Sequence, residues 1–155
     1  MSVVNVIGLV NQMLEDGVIE RYAIGGAVGA TFYLEPIATI DVDIFVTFRA
    51  SSASRLLDPT PIFQYLLARG GLMKGEYVLI EGWPLQFLPP NSSLVEEALM
   101  QAVVLDVGGV PARVFTPEHL AAIALETGRA KDKTRVLQFL EEKALNMDRF
   151  SEILG

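Results

Sequence analysis

The fold of this chain is decided by residues 40–47, Ile40-Asp41-Val42-Asp43-Ile44-Phe45-Val46-Thr47. The four even-numbered positions are all aliphatic, and alternation with period two predicts a β-strand. The opposite face carries Asp41 and Asp43 beside Phe45. The two aspartates are therefore on one side of the strand with their α-carbons roughly 7 Å apart. Like charges at this spacing repel and raise each other's pKa unless a cation lies between them.

A short strand and a glycine pair precede this segment. Tyr22-Ala23-Ile24 reads as the strand, Gly25-Gly26 as the turn, and a helix of small residues follows to about Tyr33. Glycines at a strand-to-helix turn let backbone N–H groups approach a phosphate. Two carboxylates on one face suit hard divalent cations such as Mg²⁺, which take oxygen ligands. The two motifs together predict a site for a metal ion and a phosphorylated ligand.

A dinucleotide-binding Rossmann unit is the competing interpretation of the same residues. It requires the pattern GxGxxG, but Ala27 stands where the second glycine is needed. The ribose-binding acid of that unit would also close the second strand, whereas Asp41 and Asp43 open theirs. Acids at the start of the second strand meet glycines at the end of the first most simply if the two strands are antiparallel. We therefore reject the Rossmann interpretation.

Composition limits the chemistry further. The chain has 155 residues, of which 51% are hydrophobic, and its net charge is -7. This length predicts one domain over residues 1–155 with a sizeable core. Cysteine is absent and His119 is the only histidine, which excludes thiol catalysis, thiolate metal sites and multi-histidine metal sites. The acidic balance argues against a broad nucleic-acid-binding face. With no membrane-length apolar run and no basic leader, we expect a cytoplasmic protein without a membrane partner.

The remaining pattern indicates a mixed sheet flanked by helices, an α/β or α+β fold. Val3 to Glu15 predicts an amphipathic helix, and two hairpins are expected with turns at Glu81-Gly82 and Gly108-Gly109. Thr116-Pro117-Glu118 predicts a helix start, so the C-terminal part, about residues 116–155, should be helical. One helix in this part should begin near Lys131-Asp132 and carry four residues inward: Val136, Leu137, Phe139 and Leu140.

Two segments resemble the polymerase-β-like nucleotidyltransferase superfamily. These are residues 23–26 with 39–46, a Gly-Gly turn followed by a strand DxD, and residues 116–133 in the helical part. The resemblance spans roughly residues 22–140 and is greatest to small stand-alone prokaryotic members related to abortive-infection and toxin–antitoxin nucleotidyltransferases. It implies the nucleotidyltransferase fold and metal-dependent transfer of a nucleoside monophosphate from an NTP to an acceptor hydroxyl. Asp41 and Asp43 would then hold Mg²⁺ or Mn²⁺.

The other candidate nucleotide-binding residues are Gly25, Gly26 and Thr39, with Arg129 and Lys131 at a helix junction. The two cations are either solvated charges near a helix end or reach the triphosphate, with Asp132 orienting one of them. Family members usually carry a third acid on a later strand, where this chain has Gln86. An amide can bind through its carbonyl but cannot act as a general base. Glu81 and Asp106 are weaker candidates for that acid, because each reads as a surface residue.

Two functions of different classes remain open from the sequence. The first is a nucleotidyltransferase with catalytic residues Asp41, Asp43 and Gln86, acting on an acceptor that is a protein, a small molecule or an RNA end. The second is a nucleotide- or partner-binding module, regulatory or antitoxin-like, that has lost turnover through Gln86. A homodimer that buries the face of Asp41 and Asp43 is a third and weaker alternative.

Overall fold

A computed structural model of the chain describes residues 3–33, 42–47 and 59–155, and all structural statements refer to these. Seven strands of this part form one sheet: β1 (Arg21–Ile24), β2 (Val42–Thr47), β3 (Leu72–Lys74), β4 (Tyr77–Ile80), β5 (Trp83–Leu88), β6 (Val103–Val107) and β7 (Val110–Val114). Seven helices surround it: α1 (Val3–Glu15), α2 (Gly26–Ala30), α3 (Thr60–Leu67), α4 (Ser93–Met100), α5 (Pro117–Thr127), α6 (Ala130–Glu141) and α7 (Met147–Leu154).

The sheet is mixed, with strand order β3-β4-β5-β2-β1-β7-β6. β1 pairs antiparallel with β2, and each of these two strands has a parallel neighbour on its other side, β7 and β5 respectively. The predicted fold class is therefore confirmed. The antiparallel β1–β2 pair also supports the rejection of the Rossmann interpretation, which requires parallel strands.

Two apolar clusters cover the two faces of the sheet. On one face, α1 and α3 pack against the inward side chains of the strands, among them Tyr22, Ile24 and Ile44. On the other face, Ala23 and Phe115 pack with residues of α4, α5, α6 and α7. Successive residues of β1 thus point into different clusters, as the period of two requires. The second cluster fixes the C-terminal helices against the central strands.

The C-terminal helices begin where the sequence indicates. Thr116 caps α5 by accepting a hydrogen bond from the backbone N–H of His119 at 3.1 Å, and the helix ends at Gly128. In α6, two of the four residues expected to point inward are buried, Val136 and Phe139. The expectation is wrong for Leu137 and Leu140, which are 58% and 41% exposed. The inward stripe of α6 is rotated toward its charged side.

Both predicted hairpins are present, with turns at Glu81-Gly82 and Gly108-Gly109. β3 was not expected from the sequence. It is three residues long, fully exposed and forms one edge of the sheet, so its residues show no pattern of burial. The sequence also offers Asp58 as a helix-capping residue, but this residue lies outside the described ranges. Within those residues, none of the helices has the length and apolar character that a membrane crossing requires.

Candidate functional site

The glycine pair and Asp43 meet at the point where β1 ends and α2 begins. The backbone N–H of Gly25 donates to the carbonyl oxygen of Asp43 at 3.0 Å, which continues the β1–β2 pairing. Gly26 has a φ of 59°, and a β-carbon there would collide with the carboxylate of Asp43, 3.0 Å from its Cγ. A β-carbon on Gly25 would lie 2.8 Å from the ring of Phe45. Close packing thus requires glycine at both positions, at Gly26 against the Asp43 side chain and at Gly25 against the ring of Phe45.

Gln86 lies beside Asp43 on the neighbouring parallel strand. The two residues are paired in the β2–β5 register, so their side chains emerge on the same face of the sheet. Both line the same cavities, described below. Oδ1 of Asp43 is buried. The negative charge of this side chain acts to raise the pKa of Arg129 and of Arg135, two residues of the C-terminal part. A carboxylate and an amide therefore stand side by side at this edge of the site.

Two adjoining cavities open over this face, with volumes of about 230 and 320 Å³. Both are lined by the same five residues: Gly26, Asp43, Gln86, Arg129 and Arg135. The smaller cavity has largely apolar further walls: Phe45, Leu88, Phe115, Leu120, Ile123, Ala124, Thr127 and Asp132. The larger one is completed by Glu76, Tyr77 and Lys131. The two cavities therefore share a charged wall, and the smaller one extends over apolar side chains whereas the larger one extends over polar ones.

The start of α6 supplies the positive charge of the site. Asp132 is 2% exposed, and its Oδ2 accepts from the backbone N–H of Arg129 at 3.2 Å and from Nε of Arg129 at 2.7 Å. Its Oδ1 accepts from Nη2 of Arg129 at 3.3 Å and lies 3.6 Å from Nη1 of Arg135. Arg129 is more than half exposed, whereas the Arg135 side chain is only 10% exposed. Asp132 therefore holds one exposed and one buried guanidinium at the cavities.

The ionisation of this cluster follows from its geometry. Burial acts to raise the pKa of Asp132, but the hydrogen bonds and charge of Arg129, with the charge of Arg135, outweigh it and lower that pKa. The hydrogen bond to Asp132 raises the pKa of Arg129, and the negative charges of Asp132 and Asp43 add to this effect. Burial lowers the pKa of Arg135 against the same two charges. Arginine is protonated in proteins, so both guanidiniums stay charged.

Replacing Asp132 with Asn is expected to destabilise the protein in a pH-dependent way. At neutral pH the loss should be about 1–3 kcal/mol, because the charged hydrogen bonds of a buried carboxylate are removed. A carboxyl group whose pKa is lower in the folded state contributes its full stability above its ordinary pKa, 3.8 for aspartate, and loses it as pH falls through the lower value. Denaturant unfolding of parent and Asp132→Asn at pH 7, 5, 4 and 3 measures this. A difference that stays constant over the series would contradict the assignment.

The structure brings together most of the predicted site residues. Gly26, Asp43, Gln86, Arg129 and Lys131 line the larger cavity, and Gly25 donates to the backbone of Asp43. Asp41 and Thr39 lie outside the described residues, so their roles stay predictions.

The other acids that the sequence offered lie elsewhere. Glu81 accepts a hydrogen bond from the side chain of Asn5, and Asp106 from the backbone N–H of Gly109, at 2.9 and 3.3 Å. His119 is fully buried between Thr116 and Glu97, at 2.7 and 3.0 Å from their side-chain oxygens, which makes it a packing residue. None of these three side chains lines the two cavities.

Sequence reasoning missed Arg135. The signal was available, because Asp132, Arg135, Val136 and Phe139 follow the i, i+3, i+4, i+7 spacing of one helical face. Arg135 was overlooked because an arginine in such a stripe is usually a solvated residue at its margin. Glu76, an exposed residue in the turn between β3 and β4, was also missed, since β3 itself was not expected.

The donor set has the chemistry of a site for a hard cation. Asp43 offers a carboxylate and Gln86 an amide carbonyl, and oxygen ligands of this kind suit Mg²⁺ or Mn²⁺. The described ranges contain no cluster of three His, Cys, Asp or Glu side chains that could hold a metal ion. Asp41, two residues before Asp43 in the sequence, is the predicted second carboxylate. The residues fit such an ion in ligand type.

Three solved structures share the fold of this chain. An antigenic nucleotidyltransferase-like protein from Paracoccidioides brasiliensis matches 89% of this chain over 73% of its own length, with a TM-score of 0.58 at 17% identity. ANT(2'')-Ia in complex with adenylyl-2''-tobramycin matches 97% of this chain over 94% of its own length, with a TM-score of 0.59 at 13% identity. A solution structure of the antibiotic-resistance factor ANT(2'')-Ia matches 97% of this chain over 88% of its own length, with a TM-score of 0.56 at 12% identity. No family model and no curated protein matches the sequence. At identities this low, the structural similarity shows a shared fold alone.

Proposed function

We propose that this chain transfers a nucleoside monophosphate from an NTP to a hydroxyl group of an acceptor. The observation that carries the proposal is the convergence of Asp43 and Gln86 with Arg129 and Lys131 on one cavity. The fold supports it, since one neighbour with this fold is seen with adenylyl-2''-tobramycin, an acceptor that carries a nucleotidyl group. The suggested relation to abortive-infection and toxin–antitoxin proteins, and a homodimer, stay predictions.

The reaction we propose is a displacement at the α-phosphorus of the NTP. The acceptor oxygen forms a new bond to this phosphorus, the bond to the β-phosphate bridging oxygen breaks, and pyrophosphate leaves with the bonding electrons. The acceptor hydroxyl gives up its proton to solvent or to a carboxylate, because the amide of Gln86 cannot take it. The atoms and charges balance without a further reactant.

Each residue has a defined part in this proposal. Asp43, together with Asp41, would hold Mg²⁺ or Mn²⁺, with the carbonyl of Gln86 as an additional oxygen donor. When bound, such an ion would neutralise charge on the phosphate oxygens. Arg129 and Lys131 would bind the phosphate oxygens of the NTP. The Gly25-Gly26 turn leaves room for the carboxylate of Asp43. Asp132 would fix the orientation of Arg129.

A binding module without turnover is the second candidate, and the position of Gln86 favours it. Gln86 pairs with Asp43 in the sheet, and among the described residues Glu76 is the other acid on the wall of the larger cavity. Glu76 is exposed and lies in the turn before β4, so it is not held at the centre of the site. The two candidates make the same prediction for nucleotide binding and opposite predictions for release of pyrophosphate.

The test combines calorimetry with a pyrophosphate assay on the full chain. We expect NTP to bind with Mg²⁺ or Mn²⁺ more tightly than in EDTA, and pyrophosphate to be released when hydroxyl-bearing acceptors are supplied. Binding without release for any of the four NTPs, across protein, RNA and small-molecule acceptors, would favour the binding module. Absence of NTP binding in every condition would contradict both candidates.

A further inference from the structure

Arg135 has an unsatisfied hydrogen-bond donor inside the candidate site. Its side chain is nine-tenths buried, and its Nε is shielded from solvent with no hydrogen-bond partner among the described residues. A buried polar group without a partner is costly, and a buried charge more so. Because Arg135 also lines both cavities, a ligand bound there is the candidate acceptor for this N–H.

Asp132 does not meet this requirement of Arg135. Three donor atoms of Arg129 are within 3.3 Å of its two oxygens, whereas the nearest approach of Arg135 is 3.6 Å, through Nη1. That distance is longer than an ordinary charged hydrogen bond, roughly 2.7–2.9 Å. Asp132 is therefore committed mainly to Arg129. Arg135 keeps its charge and its Nε–H for another anion.

The position of Arg135 limits what that anion can be. Its side chain lines both cavities together with Asp43, Gln86 and Arg129, and Lys131 lines the larger one as well. Three cations converge here on a space of a few hundred Å³. Guanidinium groups match the oxygen geometry of phosphates, and several cations in a row suit a chain of phosphates.

We propose that Arg135 binds the polyphosphate chain of the substrate, with its Nε donating to a phosphate oxygen, and that this binding needs no divalent cation. The proposal rests on the function proposed above, because it identifies the anion as the triphosphate of the NTP. Asp132 lowers the repulsion between the two arginines, and Arg129 and Lys131 complete the anion site at its exposed edge.

Asp43 has the opposite effect on a free polyphosphate. Its carboxylate lines the same cavities, so in the absence of a metal ion it repels a polyanion bound to Arg135. Removing this charge should therefore strengthen metal-free binding of polyphosphate. The same change should weaken binding of NTP with Mg²⁺, where the carboxylate is proposed as a metal ligand. The two opposite signs separate the anion site from the metal site.

Calorimetric titration of the full chain with inorganic tripolyphosphate in EDTA tests the proposal. Arg135→Gln should weaken binding roughly ten- to a hundredfold, the loss of one charge-assisted hydrogen bond. Arg135→Lys should retain the charge yet bind more weakly than the parent, because an ammonium cannot place a donor at the position of Nε. Lys133→Gln is the matched control: it removes one positive charge from an exposed position of the same helix and should change binding less than roughly threefold. Asp43→Asn should bind tripolyphosphate more tightly than the parent.

Three results would overturn the proposal. These are no binding of tripolyphosphate by the parent, equal effects of Arg135→Gln and Lys133→Gln, or weaker binding by Asp43→Asn. If Arg135→Gln fails to fold by thermal unfolding, Arg135→Lys and Asp43→Asn still decide the question. The outcome is independent of turnover. Tripolyphosphate bound through Arg135 without release of pyrophosphate from NTP contradicts the transferase alone, and tight NTP binding that Arg135→Gln leaves unchanged contradicts this inference alone.

Discussion

Asp43→Asn is expected to lower the rate of pyrophosphate release at least about a hundredfold, or roughly 3 kcal/mol in transition-state stabilisation. The substitution keeps the shape of the side chain and one of its oxygens, so Gly26 and Phe45 remain packed as they are. What it removes is the negative charge that we propose for holding a divalent cation beside the phosphates. NTP binding in Mg²⁺ should weaken with it.

Asp106→Asn is the matched control for this prediction. It makes the same chemical change on β6, at the far edge of the sheet, where the carboxylate bonds to the backbone N–H of Gly109. Initial rates and calorimetric affinities of parent, Asp43→Asn and Asp106→Asn are compared at fixed Mg²⁺. If Asp43→Asn and Asp106→Asn behave alike, Asp43 is not part of the site. Unfolding curves of both variants verify that the fold is kept.

Gly26→Ala should have the second large effect, on stability and on the site together. A β-carbon at this position meets the carboxylate of Asp43, and the φ of 59° is unfavourable for alanine. The backbone term costs about 1–2 kcal/mol, and forcing a group into an occupied space adds about 1–3 kcal/mol. We therefore expect a fall of about 2–5 kcal/mol in the free energy of unfolding, by the sum of these two terms.

Gly17→Ala separates the two contributions. Gly17 has a φ of 77°, and a β-carbon there has nothing within 4 Å, so alanine meets only the backbone term. Urea unfolding of both variants gives the collision energy as the difference between them. Gly26→Ala should also displace the carboxylate and reduce NTP binding, whereas Gly17→Ala should not. Equal losses of stability in the two variants would show that Asp43 is not packed against Gly26.

Much of the fold was predictable because local signals agree with the tertiary structure. The alternation in residues 42–47 fixes which face of β2 is buried, and the glycine pair fixes where β1 ends. The antiparallel pairing followed from the position of the acids at the start of the second strand. Thr116-Pro117 and Gly128 marked the limits of α5 through capping, which depends on neighbours in sequence alone.

Features that depend on distant partners were less accessible. The sequence predicts the wrong inward face for α6, because Leu137 and Leu140 are strongly apolar. The observed inward face instead includes two charged residues, Asp132 and Arg135. Burial of the Asp132 carboxylate is offset by its hydrogen bonds to Arg129 and by the charge of Arg135, and hydropathy does not register such pairing. β3 is held by hydrogen bonds to β4 at an exposed edge, which leaves no pattern of burial. The site was predictable in its carboxylate and glycines, but not in its buried arginine.

The contact between Asp132 and Arg129 also determines which of the two positions tolerates substitution. The carboxylate holds the backbone N–H of Arg129 as well as its guanidinium. The first of these bonds starts α6 and is available to any residue at position 129 other than proline. The second depends on the side chain, which is exposed and can be exchanged. A substitution at position 129 therefore keeps the backbone bond that starts α6 and loses only the side-chain bonds, whereas a substitution at position 132 loses both.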